Sequence, residues 1–237
     1  MTDKTFEGQL ALVTGASRGI GAATAKALAA RGAHVILTGR NARDLEGVED
    51  AIFEAGGNAT IAPLDLSDGD AIARLAVAIG GRWNALDMLV LNAAMLGTLG
   101  PVATIDGGEF NRLMTLNVLS AQAMIAHFDP MLRNSGKARV VALTSSVAAA
   151  PRAYWGAYGA SKAALEVLLS AYGEELRNFG KVRTAIVDPA RTRTAMRAKA
   201  YPGEDPATVK PPEFVADAIA DLLASDFETN HRLVLQG

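Results

Sequence analysis

QLALVTGASRGIGAATAKALAARGAHVILT, residues 9–38, decides the fold. QLALV (9–13) is an apolar, β-rich run, and residues 19–31 then carry apolar side chains at helical spacing. Gly32 stands where a helix C-cap belongs, and HVILT (34–38) is a second apolar run. Strand, glycine turn, helix and strand in this order make one unit of a parallel sheet. The turn itself, TGASRGIG (14–21), carries chemistry. Gly15 allows a tight turn, Gly19 lets backbone N–H groups approach a pyrophosphate, and Gly21 permits close packing of helix on strand. The helix N-terminus adds its partial positive charge, so a dinucleotide fits. The spacing G-x-x-x-G-x-G departs from the G-x-G-x-x-G fingerprint, so the strand-turn-helix context carries the reading. Three glycines in a turn are equally at home in a purely structural role.

The same alternation runs outward to the end of the chain. Further strands are expected at 59–64, 87–91, 138–144, 182–187 and 232–235, and helices at 42–55, 69–80, 108–133, 157–179 and 212–224. Gly56-Gly57 and Gly180 fall at C-cap positions. Seven strands in one open sheet, helices on both faces, give a doubly wound α/β domain of Rossmann type spanning 1–237. With 237 residues, 50% of them hydrophobic, the chain can bury such a core. The exception to the alternation is 189–212, where Pro189, Pro202, Gly203, Pro206, Pro211 and Pro212 are expected to break any regular element. A long irregular stretch in a compact domain reads as a substrate loop or lid.

Composition removes several function classes. A net charge of −2 leaves no basic footprint for nucleic acid. The absence of cysteine excludes disulfides and thiolate chemistry, and His34, His127 and His231 are scattered without ligand spacing, so no metal is expected. MTDKTFEGQL lacks the apolar region of a signal peptide, and no apolar run is long enough to span a bilayer. A soluble cytoplasmic protein is the expectation.

Tyr158 and Lys162, in YGASK (158–162), lie four apart and so share one helix face. A fixed cation beside a phenol oxygen favours the phenolate and should lower the tyrosine pKa, which suits Tyr158 to general acid or base work. The same spacing alone also fits an interfacial aromatic and a solvated charge. What distinguishes the two is the company: the glycine turn upstream, the Ser-Ser pair at 145–146 and the Pro189 loop downstream, all in one order. Position 39 bears on the cofactor. An acid after the second strand would bind a ribose 2′-OH, but the chain reads Thr38-Gly39-Arg40. Arg40 and Arg18 could together grip a 2′-phosphate, which favours NADP(H) over NAD(H).

With TGASRGIG (14–21), LDLSD (64–68), LNAA (91–94), Asn117, TSS (144–146), YGASK (158–162) and DPARTRT (188–194) in this order, the chain resembles the short-chain dehydrogenase/reductase family over essentially its whole length. The resemblance implies hydride transfer between a nicotinamide and a carbonyl or alcohol. It implies that Tyr158 is the acid/base and that Lys162 binds the nicotinamide ribose and tunes Tyr158. Ser146 would hydrogen-bond the reacting oxygen, and Asn117 would hold a water in a proton relay. Asn117 in TLNVL also fits a satisfied core amide. The cofactor would be held by Gly15, Ser17, Arg18, Gly19, Ile20, Gly21 and Arg40 at one end, by Asp65 and Leu66 at the adenine, and by Asn92, Ala93 and Ala94 beside its ribose. Tyr158, Lys162, Pro189 and Thr194 would line the nicotinamide side.

Ala94 and Ala190 replace glycines usual in the family, each adding a methyl that a small backbone shift should absorb. Ser146 stands twelve positions before Tyr158, one short of the common spacing, whereas Ser145 fits it; the local pattern Ser-Ser-Val-Ala favours Ser146. A non-catalytic alternative is a redox sensor that binds NADP(H) without turnover. An epimerase or dehydratase acting on a nucleotide sugar would need a longer chain with a substrate domain. Residues 148–155 and 189–212 would form the substrate pocket, with Met95, Leu96, Tyr154, Trp155 and Met196 as an apolar wall. Arg152, Arg191 and Arg193 could meet an acidic group, although lone loop arginines are also at home in solvent. The helices at 108–133 and 157–179, apolar on more than one face, suggest a homodimer or homotetramer.

Overall fold

Apolar residues at both odd and even positions force the central strands to be covered on two sides. The computed structural model, which describes residues 4–236, shows how. Strands β1 (Leu10–Thr14), β2 (His34–Gly39), β3 (Asn58–Pro63), β4 (Met88–Leu91), β5 (Ala138–Leu143), β6 (Val182–Asp188) and β7 (His231–Val234) form one parallel sheet ordered β3-β2-β1-β4-β5-β6-β7. Each lies within a residue of its expected bounds. Val13, Leu37, Val90 and Val141 face one side, packed on α1 (Gly19–Ala30), α2 (Ala42–Glu54) and α9 (Pro212–Ala224). Leu12, Ile36, Leu89 and Val140 face the other, under α3 (Gly69–Gly80), α5 (Ser120–Ser135) and α7 (Gly156–Leu176). The two cores are the two faces of a Rossmann-like fold.

Helix starts are fixed by side chains that accept otherwise orphaned N–H groups: Asn41 for α2, Asp68 for α3 and Asp106 for α4 (Gly107–Met114). The register aligns the strands' carboxyl ends, pairing Thr14 with Thr38, Val13 with Val90, Leu91 with Ala142 and Leu143 with Val187. The sheet therefore presents one rim of strand ends, and the order reverses between β1 and β4, the place where open α/β sheets bind ligands.

Two expectations are corrected. The helix over 108–133 is not continuous: α4 and α5 are joined by a π-helical turn, Thr115–Leu119, with Asn117 buried inside it. Such widened turns recur at functional sites. The 189–212 segment is not wholly irregular. Its AMRAKA run forms α8 (Ala195–Ala200), started by the Thr194 hydroxyl accepting from Arg197 N, and a parallel bridge joins Thr192 to Lys210. Prolines fix where α8 cannot extend, but strong helix formers between them still make a short turn. A second short helix, α6 (Ser146–Ala149), follows β5 directly.

Candidate active site

The glycine turn is built as its residues dictate. Gly15 and Gly19 have φ of 64° and 57°, the left-handed region that glycine enters freely. A Cβ on Gly21 would stand 2.3 Å from the Gly15 carbonyl oxygen and 2.5 Å from Asn92 Nδ2, so only glycine lets α1 approach the turn. Asn92 does not point at a ligand. Its Nδ2 donates to the carbonyls of Thr14 (2.8 Å) and Gly15 (3.2 Å), tying the end of β4 beneath the turn. The Thr14 hydroxyl completes this brace by accepting from the N–H groups of Asn92 and Ala93. Sequence reasoning missed Thr14, whose signal was a hydroxyl at the end of a buried strand.

At the other side of the turn, Ala16 N donates to Thr38 O, and Ser17 Oγ lies 3.7 Å from where a Cβ on Gly39 would stand. Arg18 and Arg40 follow these two residues, so register brings both to one corner of the rim. Both are exposed, and neither has an ion pair or side-chain hydrogen bond among the described residues. Leu64 N donates to Gly39 O, which brings Asp65 and the buried Leu66 beside that corner. Across the turn, Thr194 faces Gly19, its Cγ2 3.4 Å from where a Cβ would stand. Pro189 O accepts from the Thr192 hydroxyl, and Ile20 packs partly into the core.

Tyr158 and Lys162 are buried on α7, 7% and 2% exposed. Lys162 Nζ donates to Leu143 O at 2.8 Å and stands 5.8 Å from the centre of the Tyr158 ring. Burial pushes the lysine down to about 8, against the opposing pull of Glu166. The expected lowering of Tyr158 is corrected: burial, then the Asp188 carboxylate, pushes its phenol above the usual tyrosine value. Loss of water around the hydroxyl outweighs a cation that bonds elsewhere. Tyr158 is thus a neutral acid at physiological pH. Its hydroxyl is 3.9 Å from Met196 Sδ on α8, and Trp155 packs edge-on at 6.0 Å. Leu96, Val147 and Leu99 complete an apolar wall, as expected for Leu96, Trp155 and Met196, while Tyr154 is 60% exposed.

Asn117 takes the satisfied-amide role. Its Oδ1 accepts from Met95 N, and its Nδ2 donates to Met95 O and to Ser161 Oγ, whose own hydrogen goes to Tyr158 O. The π-helical turn is the local adjustment that carries this amide, and it pins the Met95 loop against the helix bearing Tyr158. Ser161 was not singled out from the sequence, although a buried serine inside YGASK was the clue. Ser146, at the start of α6, accepts from Arg152 Nη2 at 3.2 Å, leaving its hydroxyl hydrogen free to donate. Ser145 precedes it as the extended residue that starts the turn, its carbonyl accepting from Ala148 N. Ala190 adopts φ 50°, so the alanine keeps the backbone that the usual glycine would have, and its N–H donates to Asp188 Oδ1 at 2.9 Å. No cluster of three or more His, Asp or Glu able to hold a metal ion occurs among the described residues. No helix among them is long and apolar enough to cross a membrane.

A glycine cradle and a buried Tyr-Lys pair on one rim of a parallel sheet define a dinucleotide-dependent α/β oxidoreductase. Residues 9–205 match the family model of the short chain dehydrogenases, and the chain belongs to that family. The uncharacterized oxidoreductase YciK of Escherichia coli (strain K12) is 34% identical over 92% of this chain and 87% of its own length. A protein of Escherichia coli CFT073 solved in complex with NADPH superposes with a TM-score of 0.94 at 33% identity, covering 100% of both chains. A metagenomic short-chain oxidoreductase in complex with NADP gives 0.82 at 33% identity, over 98% of this chain and 100% of that one.

Proposed function

We propose that this chain transfers a hydride between NADP(H) and a carbonyl or alcohol substrate, with Tyr158 as acid/base. The observation that carries the reading is the buried Tyr158-Lys162 pair at the carboxyl rim, beside a turn that only glycines can form. The cofactor assignment is supported by Arg18 and Arg40, two guanidinium groups without partners among the described residues at one corner, with no carboxylate at position 39. It is supported also by the NADPH and NADP held by the two structural relatives.

Gly15, Ser17, Gly19, Ile20 and Gly21 would hold the pyrophosphate, with Arg18 and Arg40 at the 2′-phosphate. Asp65 and Leu66 would flank the adenine. Ala93 and Ala94 would line the ribose side, with Asn92 bracing the turn from below. Pro189 and Thr194 would meet the nicotinamide end. Bound there, the reduced nicotinamide supplies the hydride. Tyr158, protonated in its dry pocket, gives its proton to the substrate oxygen as that oxygen gains negative charge. Ser146 donates its free hydrogen to the same oxygen. Lys162, an ammonium below pH about 8, stabilises the phenolate left behind and binds the nicotinamide ribose. For Asn117 the role is positional, because both amide hydrogens are used, on Met95 O and Ser161 Oγ. The segment 189–212 is the lid, through Met196 over Tyr158.

The protein is expected to act in the cytoplasm as a homo-oligomer. Leu119, Val167 and Phe179, all more than half exposed, on the widened turn before α5, on α7 and on the turn after it, supply the apolar surface for the assembly. NADPH oxidation against a panel of ketones, aldehydes, quinones and 3-oxoacyl thioesters tests the reading. Wild-type turnover should fall by about two to four orders of magnitude in Tyr158→Phe, with NADPH binding kept. Tight NADPH binding without turnover on any of the panel would sink it in favour of the sensor.

A further inference from the structure

Leu96, Val147, Trp155 and Met196 pack around Tyr158 as an apolar wall, and a guanidinium stands beside the neighbouring Ser146. Arg152 places its Nη2 3.2 Å from Ser146 Oγ, the group proposed above to hold the reacting oxygen. Arg152 has no carboxylate partner among the described residues, so its planar fork keeps donors for a ligand. Arg152 is exposed, but the backbone that carries it is fixed. Arg152 O accepts from Trp155 N, closing a tight turn at Arg152–Trp155. Tyr154 occupies the third place of that turn with φ 73°, where glycine or asparagine is usual. The turn is pinned from outside as well: Tyr154 O accepts from Gly100 N, and a Cβ on Gly156 would stand 2.7 Å from Val102 Cγ2. Trp155 then packs on Tyr158. Strained backbone that the surroundings hold in place is a mark of positioned function. The facing lid segment, 189–212, has Arg191, Arg193, Arg197, Lys199 and Lys210 against Glu204 and Asp205, a surplus of three cations in a chain whose net charge is −2. Glu204 is already paired with Arg197. A negative ligand is drawn toward such a mouth.

We propose that Arg152 recognises a carboxylate on the substrate, and that the substrate is an oxo acid, or the matching hydroxy acid, whose carboxylate lies a few bonds from the reacting carbon. The inference rests on the proposed hydride-transfer reading of this site. Ser146 Oγ and the Arg152 guanidinium are neighbours, and each reaches about 2.8 Å to its own substrate oxygen, so the carbonyl and carboxylate oxygens must be close within one small molecule. The carboxylate is unchanged in the reaction and serves to orient the carbonyl.

The test pairs a series of small oxo acids with their methyl esters and with phosphate-bearing carbonyl compounds, using the full chain loaded with NADP(H). Wild type should favour acid over ester by at least about tenfold in kcat/KM, expressed mainly in KM, since a charge-assisted bond is worth about ten- to a hundredfold. In Arg152→Gln that ratio should fall toward one, and Arg152→Lys should restore part of it. Calorimetry of acids and esters on the NADP-loaded protein reads recognition without turnover, and acid binding should be lost in Arg152→Gln. Equal use and binding of acid and ester by wild type overturns the inference while leaving the reductase reading standing. So does an equal fall of both in the Gln variant with the ratio kept, or a preference for the phosphate compounds. Acid-selective binding without any turnover leaves Arg152 as assigned and sinks the reductase reading.

Discussion

Replacing Lys162 with methionine keeps the volume of the side chain and removes its charge, and the result should depend on pH in a defined window. In the folded chain the ammonium is fully enclosed, with Leu143 O at 2.8 Å as its hydrogen-bond acceptor. Burial lowers its pKa from 10.5 to about 8. The difference corresponds to about 3 kcal/mol of cost for holding the charged form in the folded state. Below pH about 8 the lysine is charged folded and unfolded alike, so the whole cost is present. Between about 8 and 10.5 the folded lysine sheds its proton first, the unfolded chain binds more protons, and wild-type stability rises with pH relative to the variant. Above 10.5 the cost is gone. The methionine variant leaves Leu143 O without that donor, a loss of about 1–3 kcal/mol that does not titrate. Near neutral pH the two proteins should therefore be within about 2 kcal/mol of each other, and wild type should gain about 3 kcal/mol on the variant across the window. Urea unfolding of both chains at a series of pH values measures the difference, in which titrations shared by both cancel. Activity should fall by about two orders of magnitude or more in the variant, although its fold is kept. A stability difference that stays flat across the window would refute the reasoning, because it would mean that the ammonium is solvated.

Three further outcomes follow from the site. Gly21→Ala drives a methyl into Gly15 O and Asn92 Nδ2, so overpacking together with a weakened Asn92 brace should cost about 2–4 kcal/mol in urea unfolding; a change under about half of one would show that the turn is soft. Arg40→Ala should weaken NADPH by about tenfold and NADH much less in a fluorescence titration, and equal losses would remove the arginine from the 2′-phosphate. Between Ser145→Ala and Ser146→Ala, the larger fall in kcat/KM should be at Ser146, which alone of the two has an oxygen fixed by Arg152; the opposite order would move the role to Ser145.

Much of the fold was legible because the signals were redundant. A strand such as LALVT, enclosed on both faces, is apolar up to its last residue, and glycines close several of the helices, so neither boundary depends on a single residue. The parts that escaped are set by long-range contacts. Nothing in the periodicity of 108–133 marks a widened turn, which is coupled to Asn117 reaching across to Met95. Ala190 was weighed by the volume of its methyl, but φ 50° shows that the question there is backbone conformation, at a cost of about 1–2 kcal/mol for a residue with a Cβ. The spacing of Tyr158 and Lys162 predicted their shared face correctly and the direction of the tyrosine pKa wrongly, since spacing carries no information about water.

Asn92, Lys162 and Asn117 stand out in the sequence as candidate site residues, but their partners do not, and the reason is common to all three. Asn92 donates to Thr14 O and Gly15 O, Lys162 to Leu143 O, and Asn117 to Met95 O. Each acceptor is a main-chain carbonyl, at or just beyond a strand end for Thr14, Gly15 and Leu143 and in the loop after β4 for Met95, and a carbonyl is the same whatever residue carries it. Its placement is set by register, Leu143 against Val187 and Thr14 against Thr38, which in turn is held by apolar residues in the cores far from any ligand. A slip of one residue in β5 would exchange its two faces and withdraw the carbonyl from Lys162 together. The apolar patterning of the strands therefore positions the chemistry as directly as the glycine turn does.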